Sequence, residues 1–210
     1  IVMKKIWKNI RTALVVSCAM FLLCGFAYPM ALTAVSQLAF HKQANGSIVE
    51  YDGKAVGSAL VGQDFSDERL FHCRPSAYNY NTYTQEDLKN RTYSGPASGS
   101  NNYAPSNPQL QQRIEKDVKQ LLKDNPTMEK KDIPDDMITA SGSGLDPHIS
   151  VEAAEFQIDR IAEHTGLSKQ ELEKLIDKHT EQPVLGVFGE QYVNVLELNV
   201  SLVEQLPNFS

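Results

Sequence analysis

Residues 4–40 read KKIWKNIRTALVVSCAMFLLCGFAYPMALTAVSQLAF, and the point where charge leaves this run governs the reading of all that follows. Lys4, Lys5, Lys8 and Arg11 precede it, and from Thr12 to Phe40 there is no Asp, Glu, Lys or Arg. The stretch exceeds the ~20 residues that a helix needs to cross a bilayer core. A basic cluster on its N-terminal side places the N-terminus in the cytoplasm by the positive-inside rule. The expected organisation is a cytoplasmic N-terminus (1–11), a transmembrane helix (12–36) and an extracytoplasmic domain (37–210). The protein is expected in the cell's inner membrane as a single-pass chain. Pro29 removes a helix hydrogen bond, so a kink or local unwinding is expected near Tyr28-Pro29. The opening Ile1-Val2-Met3 suggests that translation begins at Met3.

Two other fates of the apolar run stay open. A cleaved signal peptide has a shorter apolar core, about 7–15 residues, and a small-residue site such as Gly25-Phe26-Ala27. The apolar character here continues through Met30, Leu32 and Val35. Val15-Val16-Ser17-Cys18 loosely matches a lipoprotein processing site, which would leave a solute-binding lipoprotein. That reading reduces the uncharged core to Thr12–Ser17.

Four of the 20 basic residues and none of the 26 acidic ones lie in residues 1–11, so the remainder carries a formal charge of −10. That balance argues against nucleic acid and anionic lipid as partners. Of three cysteines only Cys73 lies beyond the apolar run, so the external part has no internal disulfide available, and no Cys/His spacing points to zinc. His41, His72, His164 and His179 share no ligand spacing. Asn45-Gly46-Ser47, Asn90-Arg91-Thr92 and Asn199-Val200-Ser201 match the glycosylation triplet, a pattern common by chance.

Beyond the span, Ser47–Tyr51 and Lys54–Val61 read as strands joined by Asp52-Gly53, a strong hairpin signal. Asp64–Pro108 is polar and longer than ordinary loops. It is either a functional surface or ordered by packing on something else. Leu110, Ile114, Val118, Leu121 and Leu122 form one stripe of a helix over Gln109–Lys123, capped by Ser106 or Asn107. Met137–Ala140 reads as a short strand. Ser150 caps a helix that Gly166 ends, and Ser168 with Glu171 forms a capping box for a helix reaching about Lys178. Tyr192–Leu202 reads as a closing strand. The fold class is α+β: a small β-sheet and about three helices behind one transmembrane helix.

Ser141-Gly142-Ser143-Gly144-Leu145-Asp146-Pro147-His148 gathers hydroxyls, an acid and a histidine. A membrane-anchored hydrolase using Ser141 or Ser143 with His148 is one reading. A strand-to-helix turn is the plainer one, because no Gly-x-Ser-x-Gly elbow is present. A P-loop is absent as well. Arg74-Pro75-Ser76, in a loop rich in Tyr and Asn, has interface character, although an Arg bound to nearby carbonyls fits equally.

Several runs, in order, resemble the C subunit of the Kdp potassium-transporting ATPase. They are Tyr28-Pro29, Gln43–Ser47, Gly57–Gln63, Arg74–Ala77, Ser98–Asn101, Ser106–Pro108, Thr139–Pro147 and Val193–Asn199. The resemblance implies an accessory subunit without chemistry of its own. It implies membership in an ATP-driven potassium import complex with a channel-like subunit, a P-type ATPase subunit and a small membrane peptide. It implies no directly bound cofactor, with ATP held by the ATPase subunit, and a chaperone role that raises ATP affinity. The family's Leu-Ser-x-x-Gln element, proposed to contact nucleotide, reads Leu167-Ser168-Lys169-Gln170-Glu171 here, with Glu in place of Gln. Gly25, a small surface for helix packing, and Arg74, Ser76 and Asn101 are the residues expected at the partner interface.

Overall fold

The computed structural model describes residues 2–93, 95–206 and 209. Two units are compact in themselves, Ile1–Ser47 and Ile48–Ser210. The first is helical: α1 (Val2–Leu22), a π-helical turn (Leu23–Ala27), α2 (Tyr28–Ala39) and the short α3 (His41–Ala44). Val2–Ala39 is long and apolar enough to cross a membrane, and its large apolar side chains are exposed. At about 1.5 Å per residue, the uncharged part spans roughly 40 Å against a hydrocarbon core of ~30 Å. The helix is disturbed one turn before Pro29, as a widened turn rather than as unwinding. Proline has no N–H and its ring crowds the carbonyl four residues back, that of Gly25. The π turn, in which Tyr28 N–H bonds Leu23 O, relieves that crowding.

The second unit opens with the hairpin of β1 (Ile48–Tyr51) and β2 (Lys54–Ser58), with a bulge between Val49 and Glu50. Asp52 and Gly53, at φ 50° and 69°, supply the turn. β2 stops at Ser58, short of Val61. The polar stretch holds α4 (Gln85–Asn90) and precedes α5 (Pro108–Asp124), which Asn107 caps through Gln109 N at 2.8 Å. Met137–Ala140 is not a strand. Pro134 leads into a 3₁₀ turn, Asp135–Met137, that frees the Asp136 carboxylate to accept from Ser150 N (2.7 Å) and Oγ (3.1 Å).

β3 (His148–Ile149) and β4 (Thr180–Glu181) flank β5 (Tyr192–Asn194) in an antiparallel sheet. The helix expected from Ser150 to Gly166 is two, α6 (Val151–Phe156) and α7 (Ile158–Thr165), separated at Gln157. α8 (Lys169–His179) begins with the expected Ser168–Glu171 capping box. The closing strand was expected to run to Leu202, but only Tyr192–Asn194 is extended, and α9 (Val195–Val203) follows. Asn194 turns the chain by capping Glu197 N at 3.1 Å. Val195, Leu198, Asn199 and Leu202 are buried at helical spacing, while the alternation of Leu196, Leu198, Val200 and Leu202 with polar residues is what a strand would show. Ile149, Ala153, Ile161, Leu172, Ile176, Val193 and Leu198 form the core.

Candidate functional site

The Ser141–His148 run is a turn over which other loops close. Ser141 is buried, and its Oγ accepts from Gly144 N at 2.8 Å; Ser143 Oγ accepts from Leu145 N at 3.1 Å. Both hydroxyls serve their own backbone. Ser143 O accepts from Gly99 N (2.7 Å) and Ser98 Oγ (3.0 Å). Ser76 Oγ donates to Gly144 O at 2.6 Å and accepts from Tyr80 N at 3.1 Å. Gly62 N donates to Leu145 O at 2.8 Å. A Cβ on Gly62 would stand 2.4 Å from Asp146 O and 2.6 Å from Tyr80 Cε1, so only glycine fits this approach.

Arg74 locks the turn. Its Nη1 donates to Asp146 Oδ2 at 3.1 Å, and Nη2 faces Thr139 O and Oγ1 at 3.4 and 3.3 Å. Asp146 Oδ1 accepts from His148 N at 3.0 Å. Tyr80 OH donates to Arg74 O at 2.6 Å, and burial pushes the phenol pKa up, so it stays a donor. Burial likewise pushes the Cys73 thiol up to about 12, which leaves it unreactive at neutral pH.

His148 tilts onto Tyr192 with ring centroids 4.2 Å apart, and its Nδ1 lies 3.8 Å from Asp146 Oδ1. Burial lowers its pKa, against the opposing pull of Asp146. Among the described residues it makes no hydrogen bond to Ser141 or Ser143, the contact that a nucleophile and its base require. The arrangement is that of a rigid polar turn. Among the described residues no group of His, Cys, Asp and Glu is placed to hold a metal ion.

A second constellation escaped the sequence reading. Residues 67–73 have no strand partner among the described residues; Phe71 enters the core while Glu68 stays exposed, and buried side chains from other elements satisfy the segment's backbone. Asn199 Oδ1 accepts from Phe71 N (2.8 Å) and its Nδ2 donates to Phe71 O (2.9 Å). Gln157 does the same for His72, at 2.7 and 3.2 Å. Arg160 donates to Glu68 O, to Leu70 O at 3.0 Å and to Gln157 Oε1 at 2.8 Å. Each primary amide copies a strand's N–H and C=O. The break at Gln157 places its side chain in this network. Burial drops the Arg160 pKa to about 10, still far above neutrality. The only sequence signal was three long polar residues on apolar helix faces. Asn199 is buried and doubly bonded, so its glycosylation triplet is not accessible in the fold.

Arg74 and Ser76 therefore meet at the 141–148 turn. Asn101 is exposed at a separate cleft of about 240 Å³ beside Arg113 and Thr139. Gly25 belongs to the first unit, exposed within the π turn. The long polar stretch is ordered on its own domain, with Phe71 fully buried. Ser168 and Glu171 are occupied with each other, Ser168 Oγ to Glu171 Oε2 at 2.6 Å. His72 Nε2 lies 3.0 Å from Asp67 O, His164 Nε2 lies 2.8 Å from Glu68, and His179 Nε2 lies 2.8 Å from Ser201 Oγ.

The family model described as K+-transporting ATPase, c chain (KdpC) matches residues 10–204. A potassium-transporting ATPase KdpC subunit of Clostridium kluyveri is 50% identical over 208 residues, covering 99% of both chains. One of Clostridioides difficile is 49% identical over 204 residues, 95% of this chain and 98% of the relative. One of Caldanaerobacter subterraneus is 43% identical over 199 residues, 95% and 96% of the two. A match of this length and identity means that the chain belongs to the KdpC family.

Proposed function

We propose that the protein is the accessory subunit of an ATP-driven potassium importer, assembling and stabilising a complex of a channel-like subunit, a P-type ATPase subunit and a small membrane peptide. The observation that carries this reading is the family match along residues 10–204. The engaged hydroxyls of the 141–148 turn support a role in presenting surface rather than in chemistry. The rigid loop cluster around Arg74 supplies that surface.

In this reading residues 12–36 cross the membrane, residues 1–11 lie in the cytoplasm, and residues 37–210 face away from it. Support comes from the four basic residues ahead of the uncharged span. Any gain in ATP affinity of the ATPase subunit is exerted through assembly and not by nucleotide contact from Leu167–Glu171. The Ser168 hydroxyl is already held in a cap, and Glu171, its pKa lowered by those hydrogen bonds, is an anion that repels phosphate.

The test is affinity purification of the full chain from potassium-starved cells. Co-purification of the channel-like and ATPase subunits is expected, and recovery of this chain alone would overturn the reading. Protease added to intact spheroplasts should digest residues 41–210, and full protection would reverse the orientation.

A further inference from the structure

Between β4 and β5 the chain makes a second hairpin, Pro183-Val184-Leu185-Gly186-Val187-Phe188-Gly189. Val184 N donates to Phe188 O at 2.9 Å, and Phe188 N donates to Val184 O at 3.0 Å. Four large apolar side chains project from it. Val184 is 68% exposed, Leu185 86%, Val187 76% and Phe188 67%. A hairpin tip is ordinarily polar, with Asn or Gly where φ is positive. Here Leu185 holds φ 57°, a conformation disfavoured for a bulky side chain, and Gly186 holds φ 71°. An apolar residue at a strained and solvent-facing position contributes nothing to this domain's core.

The surroundings select the occupant. The hairpin borders a cleft of about 640 Å³ whose walls carry Arg74, already paired to Asp146, and the acids Asp135, Glu152, Glu181 and Glu190. None of these four forms an ion pair among the described residues. From Thr180 to Asn194 there is no Lys or Arg. Membrane-surface elements pair apolar residues with basic ones, and the acidic walls would repel an anionic lipid surface. A second copy of the chain would bring two acidic clefts together. A protein surface with an apolar recess and a basic rim satisfies both features.

We propose that the 183–189 hairpin is a docking element whose tip enters an apolar recess on a larger subunit of the transport complex, while basic side chains of that subunit occupy the acidic cleft. The proposal rests on the assembly role given above. A photo-crosslinking residue at Leu185 of the full-length chain, expressed with the other subunits, should join it to a larger transport subunit identified by mass. The double variant Leu185→Ser, Phe188→Ser should co-purify those subunits about tenfold less, or lower still. Crosslinks to lipid alone, or to a second copy, overturn the proposal. So does wild-type recovery of the subunits by the double variant. Should the double variant unfold, the crosslink from Leu185 decides. If the wild-type chain itself brings down no transport subunit, the assembly reading fails and takes this one with it. Loss confined to the variant's partner recovery supports the hairpin alone.

Discussion

Residues 67–73 and residues 183–189 run opposite to their hydropathy. The first, Asp-Glu-Arg-Leu-Phe-His-Cys, is largely polar, yet it packs on the domain and sends Phe71 fully into the core. The second, Pro-Val-Leu-Gly-Val-Phe-Gly, has no charged or polar side chain and stands in solvent. The difference lies in what each backbone finds. In the first, Asn199, Gln157 and Arg160 satisfy the N–H and C=O groups that burial would otherwise strand. In the second, the hairpin bonds itself, so nothing draws it inward. Depth in this domain follows polar partners as much as apolar content.

The sharpest way to break this comparison uses its two phenylalanines. Phe71→Ala should destabilise the protein by about 3–5 kcal/mol through a core cavity, whereas Phe188→Ala should stay within about 0.5 kcal/mol. Equal losses in urea titrations would erase the distinction between the two segments. Next, Asn199→Ala leaves two backbone groups of Phe71 without partners and should cost about 2–3 kcal/mol. Asn199→Asp should not rescue it, because a carboxylate cannot donate to Phe71 O. Rescue by Asp would mean that the amide is only filling space.

A smaller effect comes from protonation. Burial and the neighbouring Arg160 lower the His72 pKa, with Asp67 O, Asp124 and Asp64 pulling the other way. The unfolded chain takes up this proton near pH 6.5 while the fold resists it, so stability declines as pH falls below that value. The decline ends below the folded pKa. His148 and His179, also lowered by burial, act in the same direction. His72→Gln should flatten the slope of melting temperature between pH 7.5 and 5, and an unchanged slope would remove His72 from the account. The smallest expected change is a gain. Leu185→Asn suits the left-handed turn and should raise stability by about 0.5–1 kcal/mol. A loss would show that Leu185 packs within its own domain.

Local chemistry in the sequence determined much of the molecule. The charge boundary at Arg11 marked the long apolar helix, Asp52-Gly53 marked the first hairpin, and Asn107, Ser150 and Ser168 marked helix starts. These signals are legible because a cap or turn involves neighbours within a few residues. The ordered family runs, Arg74–Ala77 and Thr139–Pro147 among them, pointed to loops that the fold brings together, although their meeting at Arg74–Asp146 spans 72 positions. Tertiary structure alone decided the rest. α9 reads as a strand in sequence because Leu196, Leu198, Val200 and Leu202 alternate with Glu197, Asn199 and Ser201, and only packing against α8 and β5 selects the helix. The split at Gln157 and the roles of Asn199 and Arg160 depend on a segment about ninety or more residues away that carries no strand pattern of its own. A sequence reports what a residue offers to its neighbours, and only the fold supplies the distant backbone that needs a buried amide.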